Sequence, residues 1–198
     1  TAAGGWDQAT VLRPADAEIA DGYGKSLAVR GDLLAVGAED KGAGVVYVYA
    51  RQAGTWREAA RLTPATGSPG DRFGAALAFA DGALLVGSPG QGGNRGAVHF
   101  FRRAANGSWQ AAGLLGGGAS PGAFFGASLA VDGTRAAVGA PGAADVGGRV
   151  TDGVTGTVAL YQPAADGTWR AAGQLQAPAD ASGFGFAVLL DGPSLFVS

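Results

Sequence analysis

The feature that most constrains this chain is that it repeats itself. Tyr23-Gly24, Phe73-Gly74, Phe125-Gly126 and Phe184-Gly185 each open a similar block, and the aromatics stand 50, 52 and 59 residues apart. The blocks read YGKSLAVRGDLLAVGA, FGAALAFADGALLVGS, FGASLAVDGTRAAVGA and FGFAVLLDGPSLFVS. Fourteen positions after the aromatic come Gly37, Gly87 and Gly139, with Ser198 in the fourth block. A second signal keeps the same register. Trp6, Trp56, Trp109 and Trp169 are each followed six residues on by a leucine, Leu12, Leu62, Leu115 and Leu175. A third occurs three times, as GVVYVY from Gly44, GAVHFF from Gly96 and GTVALY from Gly156.

Each repeat therefore holds four short apolar runs, broken by Gly, Asp and Pro, and such runs are strands. The first two, such as Leu27-Ala28-Val29 and Leu34-Ala35-Val36, are apolar throughout, as strands covered on both faces must be. The third alternates, with Val46 and Val48 on one face and Val45, Tyr47 and Tyr49 on the other. The fourth, from tryptophan to leucine, is more polar and suits an outer strand. Residues 57–61, REAAR, have some helical character, but their counterparts QAAGL and RAAGQ carry a glycine and argue for strand. A four-stranded unit of this length is the blade of a β-propeller. The expected fold is all-β: three complete antiparallel blades at about 22–63, 72–116 and 124–176, plus a partial fourth. Strand 6–12 and residues 184–198 belong to a split or incomplete blade, which suggests a segment of a longer propeller or a chain that completes itself by assembly through its open edges.

Composition narrows the partners. A formal net charge of −2 with 15% charged residues supplies no basic field for a nucleic-acid backbone. No apolar run is long enough to span a membrane as a helix. Cysteine is absent, so neither disulfides nor thiolate metal sites are expected.

The blocks FGxSLAV, LAVGAP, GxVYVY and GxW resemble the FG-GAP repeat of integrin α-subunit heads and of many bacterial surface proteins. FG is present at Phe73, Phe125 and Phe184, with Tyr23 a variant. GAP is complete only at Gly139-Ala140-Pro141; elsewhere it reads Gly87-Ser88-Pro89 and Gly37-Ala38-Glu39. The resemblance implies a non-catalytic scaffold in an extracellular, cell-surface or envelope protein, engaged in adhesion or protein binding. It also implies calcium in DxDxDG-type loops. Here the corresponding hairpins carry one acidic residue each, too few oxygens for calcium, so no cofactor is expected.

Arg30-Gly31-Asp32 spells an adhesion tripeptide, but Ala80-Asp81-Gly82, Asp132-Gly133-Thr134 and Asp191-Gly192-Pro193 align with it. All four are the turn that the first hairpin of a blade needs. The loop at residues 142–156 is longer than its counterparts, and Asp145, Arg149 and Asp152 in it are candidate ligand-face residues. The tryptophans are expected to pack between blades, and they and the aromatics at 23, 73, 125 and 184, which open the innermost strands, are expected to be structural repeat residues. A lectin-like reading, with the four indoles stacking on sugars, is the alternative. His99 is the only histidine, in register with Tyr47 and Ala159. It stands without a nucleophile-elbow serine or a second imidazole, so no catalytic residue and no metal ligand is expected.

Overall fold

The structure is a computed structural model that describes residues 10–116, 119–142, 155–165, 167–178, 181 and 183–198. Three four-stranded antiparallel sheets and one two-stranded sheet make up the architecture. The first blade consists of β1 (Tyr23–Arg30), β2 (Leu33–Ala38), β3 (Val45–Gln52) and β4 (Thr55–Leu62). The second has β5 (Ala76–Ala80), β6 (Ala83–Ser88), β7 (Ala97–Arg103) and β8 (Trp109–Gly116). The third has β9 (Ser128–Asp132), β10 (Arg135–Ala140), β11 (Thr157–Pro163) and β12 (Trp169–Gln176). A fourth sheet pairs β13 (Val188–Asp191) with β14 (Ser194–Val197). Strands in each sheet follow chain order from inside to outside, and β1, β5, β9 and β13 stand side by side around a channel. The protein is thus a β-propeller with three complete blades and a partial fourth.

REAAR lies in β4, a strand, and the structure shows what its alanines do. Val48 pairs with Ala60 and Tyr49 with Glu58, so Ala59 is an extra residue, a β-bulge. The same bulge recurs in the other blades, between Phe100 and Phe101 and between Leu160 and Tyr161. Besides a 3-10 turn at Ile19–Asp21, the helical turn α1 (Gln91–Asn94) has no counterpart among the sequence expectations. It rests on Gly92 and Gly93, whose φ values of 65° and 73° no ordinary helix would contain.

The repeated glycines are where blades touch backbone to backbone. A Cβ on Gly37, Gly87 or Gly139 would run into the carbonyl of the next blade's FG glycine, Gly74, Gly126 or Gly185. One on Gly44, Gly96 or Gly156 would run into the main chain of the next aromatic, Phe73, Phe125 or Phe184. Each FG pair is thus pinched between two glycines of the blade before it. Hydrogen bonds hold it there. Phe73 N–H donates to Ala43 O at 2.9 Å, and Phe125 N–H donates to Arg95 O at 3.1 Å. Within its own blade, each FG glycine donates to the residue fourteen on from the aromatic: Gly74 to Gly87 O, Gly126 to Gly139 O and Gly185 to Ser198 O, at 2.8–2.9 Å. Ser198 therefore takes the glycine's structural place.

Side chains fill the rest. Val46, Val48 and Leu62 of the first blade form one cluster with Phe73, Leu77, Phe79, Leu84, Val86 and Phe101 of the second. Leu85, Val98, Phe100 and Leu115 form the corresponding cluster with Phe125, Ala136, Val138 and Ala140 of the third. Val45, Tyr47 and Tyr49 point the other way, as the alternation in β3 predicts, into a third cluster that includes Leu12. Leu12 thus joins the cluster that Tyr23 packs against, as Leu62 joins the cluster of Phe73. The expectation of inner strands buried on both faces holds fully for β5 and β6. It fails for β1, where Leu27 and Val29 are 63% and 68% exposed, because among the described residues no blade covers that face.

Candidate functional site

Antiparallel order places all long connections at one end of the propeller. Tyr23 at the start of β1 pairs with Ala38 at the end of β2, which pairs with Val45 at the start of β3, and Val46 pairs with Leu62 at the end of β4. The connections from second to third strand (middle loops) and from fourth strand to the next blade (crossing loops) therefore emerge together. The opposite end carries hairpins, as tight as the two residues Gly31-Asp32 and Ala53-Gly54.

The loop end is cross-tied by one bond that recurs at equivalent positions. Asp40 N–H donates to Asp21 O, Gly90 N–H to Asp71 O and Gly142 N–H to Ala123 O, each at 3.1 Å, joining a middle loop to a crossing loop. Ser88, fully buried in place of the GAP alanine, adds its hydroxyl to Asp71 O at 3.0 Å. Each crossing loop also turns sharply just before its aromatic. Gly22, Arg72, Phe124 and Gly183 all have φ between 54° and 70°, a conformation only glycine adopts without strain.

On the first blade this end is charged. Asp16 receives the Tyr47 hydroxyl at 3.1 Å and Arg61 Nη1 at 2.9 Å, and Lys41 Nζ bonds Asp21 at 2.8 Å. Partial desolvation pulls the Asp16 pKa up, but the Tyr47 hydroxyl and the two cations outweigh it and hold the carboxyl below its ordinary value. Lys41 does the same for Asp21. Lys25 bridges Glu39 and Asp40 at 3.0 and 2.6 Å.

The second blade has His99 at the position of Tyr47. Its Nε2 lies 2.7 Å from Gln91 Oε1, and its ring meets Phe73 edge-on at 5.2 Å. Burial pushes the imidazole pKa below 6.5, and Asp71 opposes this only in part. The folded protein therefore favours neutral His99, and below about pH 6.5 the unfolded chain binds the proton more readily. The stability His99 contributes is present above that pH and is lost as pH falls through the lowered folded value. A thermal midpoint that declines from roughly pH 7.5 to 5 should decline less in His99→Tyr. Identical slopes for the two proteins would show that His99 is not the titrating group.

The third blade has Ala159 at this register, and the space is open. A cleft of 620 Å³ lies between the second and third blades. Nothing in the motifs pointed to it. The one available signal was the Tyr47, His99, Ala159 series, in which the third member is too small to fill the volume of the others.

Of the residues that the sequence singles out, Asp145, Arg149 and Asp152, as well as Trp6, lie outside the described residues. Trp109 packs into the cluster between the first two blades, tilted on Phe79 at 6.2 Å, and Trp169 packs into the next cluster. Trp56 faces the outer side of the first blade, with the Arg51 guanidinium 5.5 Å above its ring. Phe73 and Phe125 are buried; Tyr23 and Phe184 are half-buried. The adhesion triplet is a hairpin corner. Arg30 pairs with Asp81 of the next blade, and Asp32 with Arg51 of its own at 2.9 Å. Among the described residues no three acid or imidazole side chains gather as a metal-holding cluster, and no helix is long and apolar enough to cross a membrane.

The FG-GAP repeat family matches residues 6–49 and 56–101. Each match starts at a tryptophan and ends in a third strand, so the sequence unit straddles two blades. These two segments are FG-GAP repeats, within a chain that folds as a β-propeller. No curated protein matches it.

Proposed function

We propose that this propeller is a non-catalytic scaffold of an extracellular or cell-surface protein, one that binds a protein partner through its loop end in adhesion or assembly. The observation that carries the reading is the asymmetry between the two ends. One bears long loops, cross-tied at equivalent positions in each blade, and the other bears tight hairpins. A rigid frame that holds variable loops on one face loses little entropy when a partner docks. FG-GAP repeats support protein binding as the general role. The described residues lining the axial channel are apolar apart from Arg30, which favours a scaffold over acid–base chemistry there. The test grafts Gly-Ser segments in place of residues 65–69 at the loop end or 105–107 at the hairpin end, then measures attachment of cells and binding to extracellular-matrix proteins. Only the loop-end graft should abolish binding, and Asp32→Ala should leave it intact. Loss through the hairpin end or through Asp32 would refute the proposal.

A second reading, self-assembly, is supported by the uncovered sheet faces. Leu27 and Val29 occupy the register positions at which Leu77 and Phe79 pack against a preceding blade, and they are exposed. Leu189 and Phe196, 59% and 56% exposed, occupy the forward positions of Ala28 and Ala35 on the last sheet. A second copy of the chain can cover them. Light scattering should then give a multimer that Leu189→Lys/Phe196→Lys returns to monomer; a wild-type monomer rejects this reading.

A further inference from the structure

In the first two blades the ring beside the FG aromatic is capped by a neighbour. Tyr47 meets Tyr23 at 5.6 Å and His99 meets Phe73 at 5.2 Å, both edge-on. In the third blade Ala159 provides no ring, so one side of Phe125 is left to the 620 Å³ cleft. This volume falls within the range of small-molecule sites, about 300–1,000 Å³.

The chemistry of the walls is specific. Thr157 pairs with Gln176 and Ala159 with Gln174 across β11 and β12, which sets hydroxyl and amide groups in a ladder along one side. Ser120 and Thr155 add hydroxyls, and Tyr161 adds a phenol whose ring packs edge-on against Phe125 at 6.3 Å. Burial raises the Tyr161 pKa, so the phenol remains protonated and available to donate. The floor is Phe125 with the methyl groups of Ala123, Ala140 and Ala159. None of the described residues lining the cleft is charged. Arg95 lies beside it, with its Nη1 donating to Ala119 O at 2.9 Å, which pins the crossing loop that forms one rim.

Amides and hydroxyls both donate and accept, so they match a ligand that carries many neutral hydroxyls. The apolar floor suits the C–H face of a sugar ring. Among the described lining residues a charged ligand would find no counter-charge, and desolvating a charge without one is costly. We propose that the cleft between the second and third blades binds a neutral saccharide of one or two rings. Ala119, Ser120 and Thr155 belong to the loop end, so the cleft borders the proposed protein-binding surface, but sugar binding reads the cleft alone and can fail or succeed whether or not a protein docks there. The cleft also uses none of the four tryptophans.

The test is ligand-observed saturation-transfer NMR on the whole chain. The probes are galactose, glucose, mannose, fucose, N-acetylglucosamine and their disaccharides, with glucuronate and N-acetylneuraminate as charged controls. Transfer is expected from at least one neutral sugar and not from the controls. Ala159→Tyr restores the ring found in the first blade and should weaken binding at least about tenfold. Gln174→Ala/Gln176→Ala alters only exposed side chains, so it leaves the fold intact and should lose binding to a similar extent. Lys25→Ala, on the first blade, should bind as wild type. Silence from every neutral sugar at millimolar concentration, a preference for the charged controls, or binding that survives both cleft variants would overturn the proposal.

Discussion

Gly87→Ala is expected to destabilise the protein by roughly 4 kcal/mol or more, at the extreme end for a single methyl group. The added Cβ would enter the space of the Gly126 carbonyl, a main-chain atom of the next blade that has no rotamer to change. Relief requires the second and third blades to separate, which opens the cluster containing Leu85, Val98 and Phe125. Gly31→Ala is the control. Gly31 has φ +57°, and a methyl added there would meet nothing within 4 Å, so its substitution costs only backbone strain, about 1–2 kcal/mol. In a chain of this size each kcal/mol moves the thermal midpoint by roughly 2–4 °C. Calorimetry should therefore separate the two variants clearly. Equal losses would mean that the glycine pinch does not hold the blades together.

Phe73→Ala is expected to cost about 3–5 kcal/mol, the range for a large aromatic removed from a packed core. Phe73 is fully buried, meets Phe101 and His99 edge-on at 5.9 and 5.2 Å, and joins residues of two blades. Tyr23→Ala at the same repeat position should cost only about 1–2 kcal/mol. Tyr23 is half-buried, and its hydroxyl shares a 2.9 Å bond with Tyr49. Urea denaturation read by fluorescence would measure both. A Tyr23 variant as damaging as the Phe73 variant would show that cover by a preceding blade is not what distinguishes them.

Much of this fold is legible in the order of residues. Three signals in constant register imply a repeated unit, and runs of four to six apolar residues between turn formers imply strands. The alternation of Val46 and Val48 against Tyr47 and Tyr49 anticipates which cluster each joins. The reason for the glycines is not legible. Periodicity marks Gly37, Gly87 and Gly139 as repeated, but a carbonyl pressing on them belongs to residues some 40 positions further along the chain. The cleft is hidden for a related reason. Ala159 reads as an ordinary small strand residue, and its effect appears only beside Phe125 of the same blade and the loop that arrives from the second. The loop singled out by its length, 142–156, lies mostly outside the described residues.

The amino-acid sequence by itself determined the unit: four strands, their order, the hairpins that join them, and the aromatic–glycine pair that opens each. Those features rest on local preferences and on a periodicity that any short window contains. Tertiary structure alone decided which faces are covered, which glycines bear contact, and where a volume is left open. These depend on how close one blade comes to the next, a distance set by the summed packing of two sheets and recorded in no single stretch of chain.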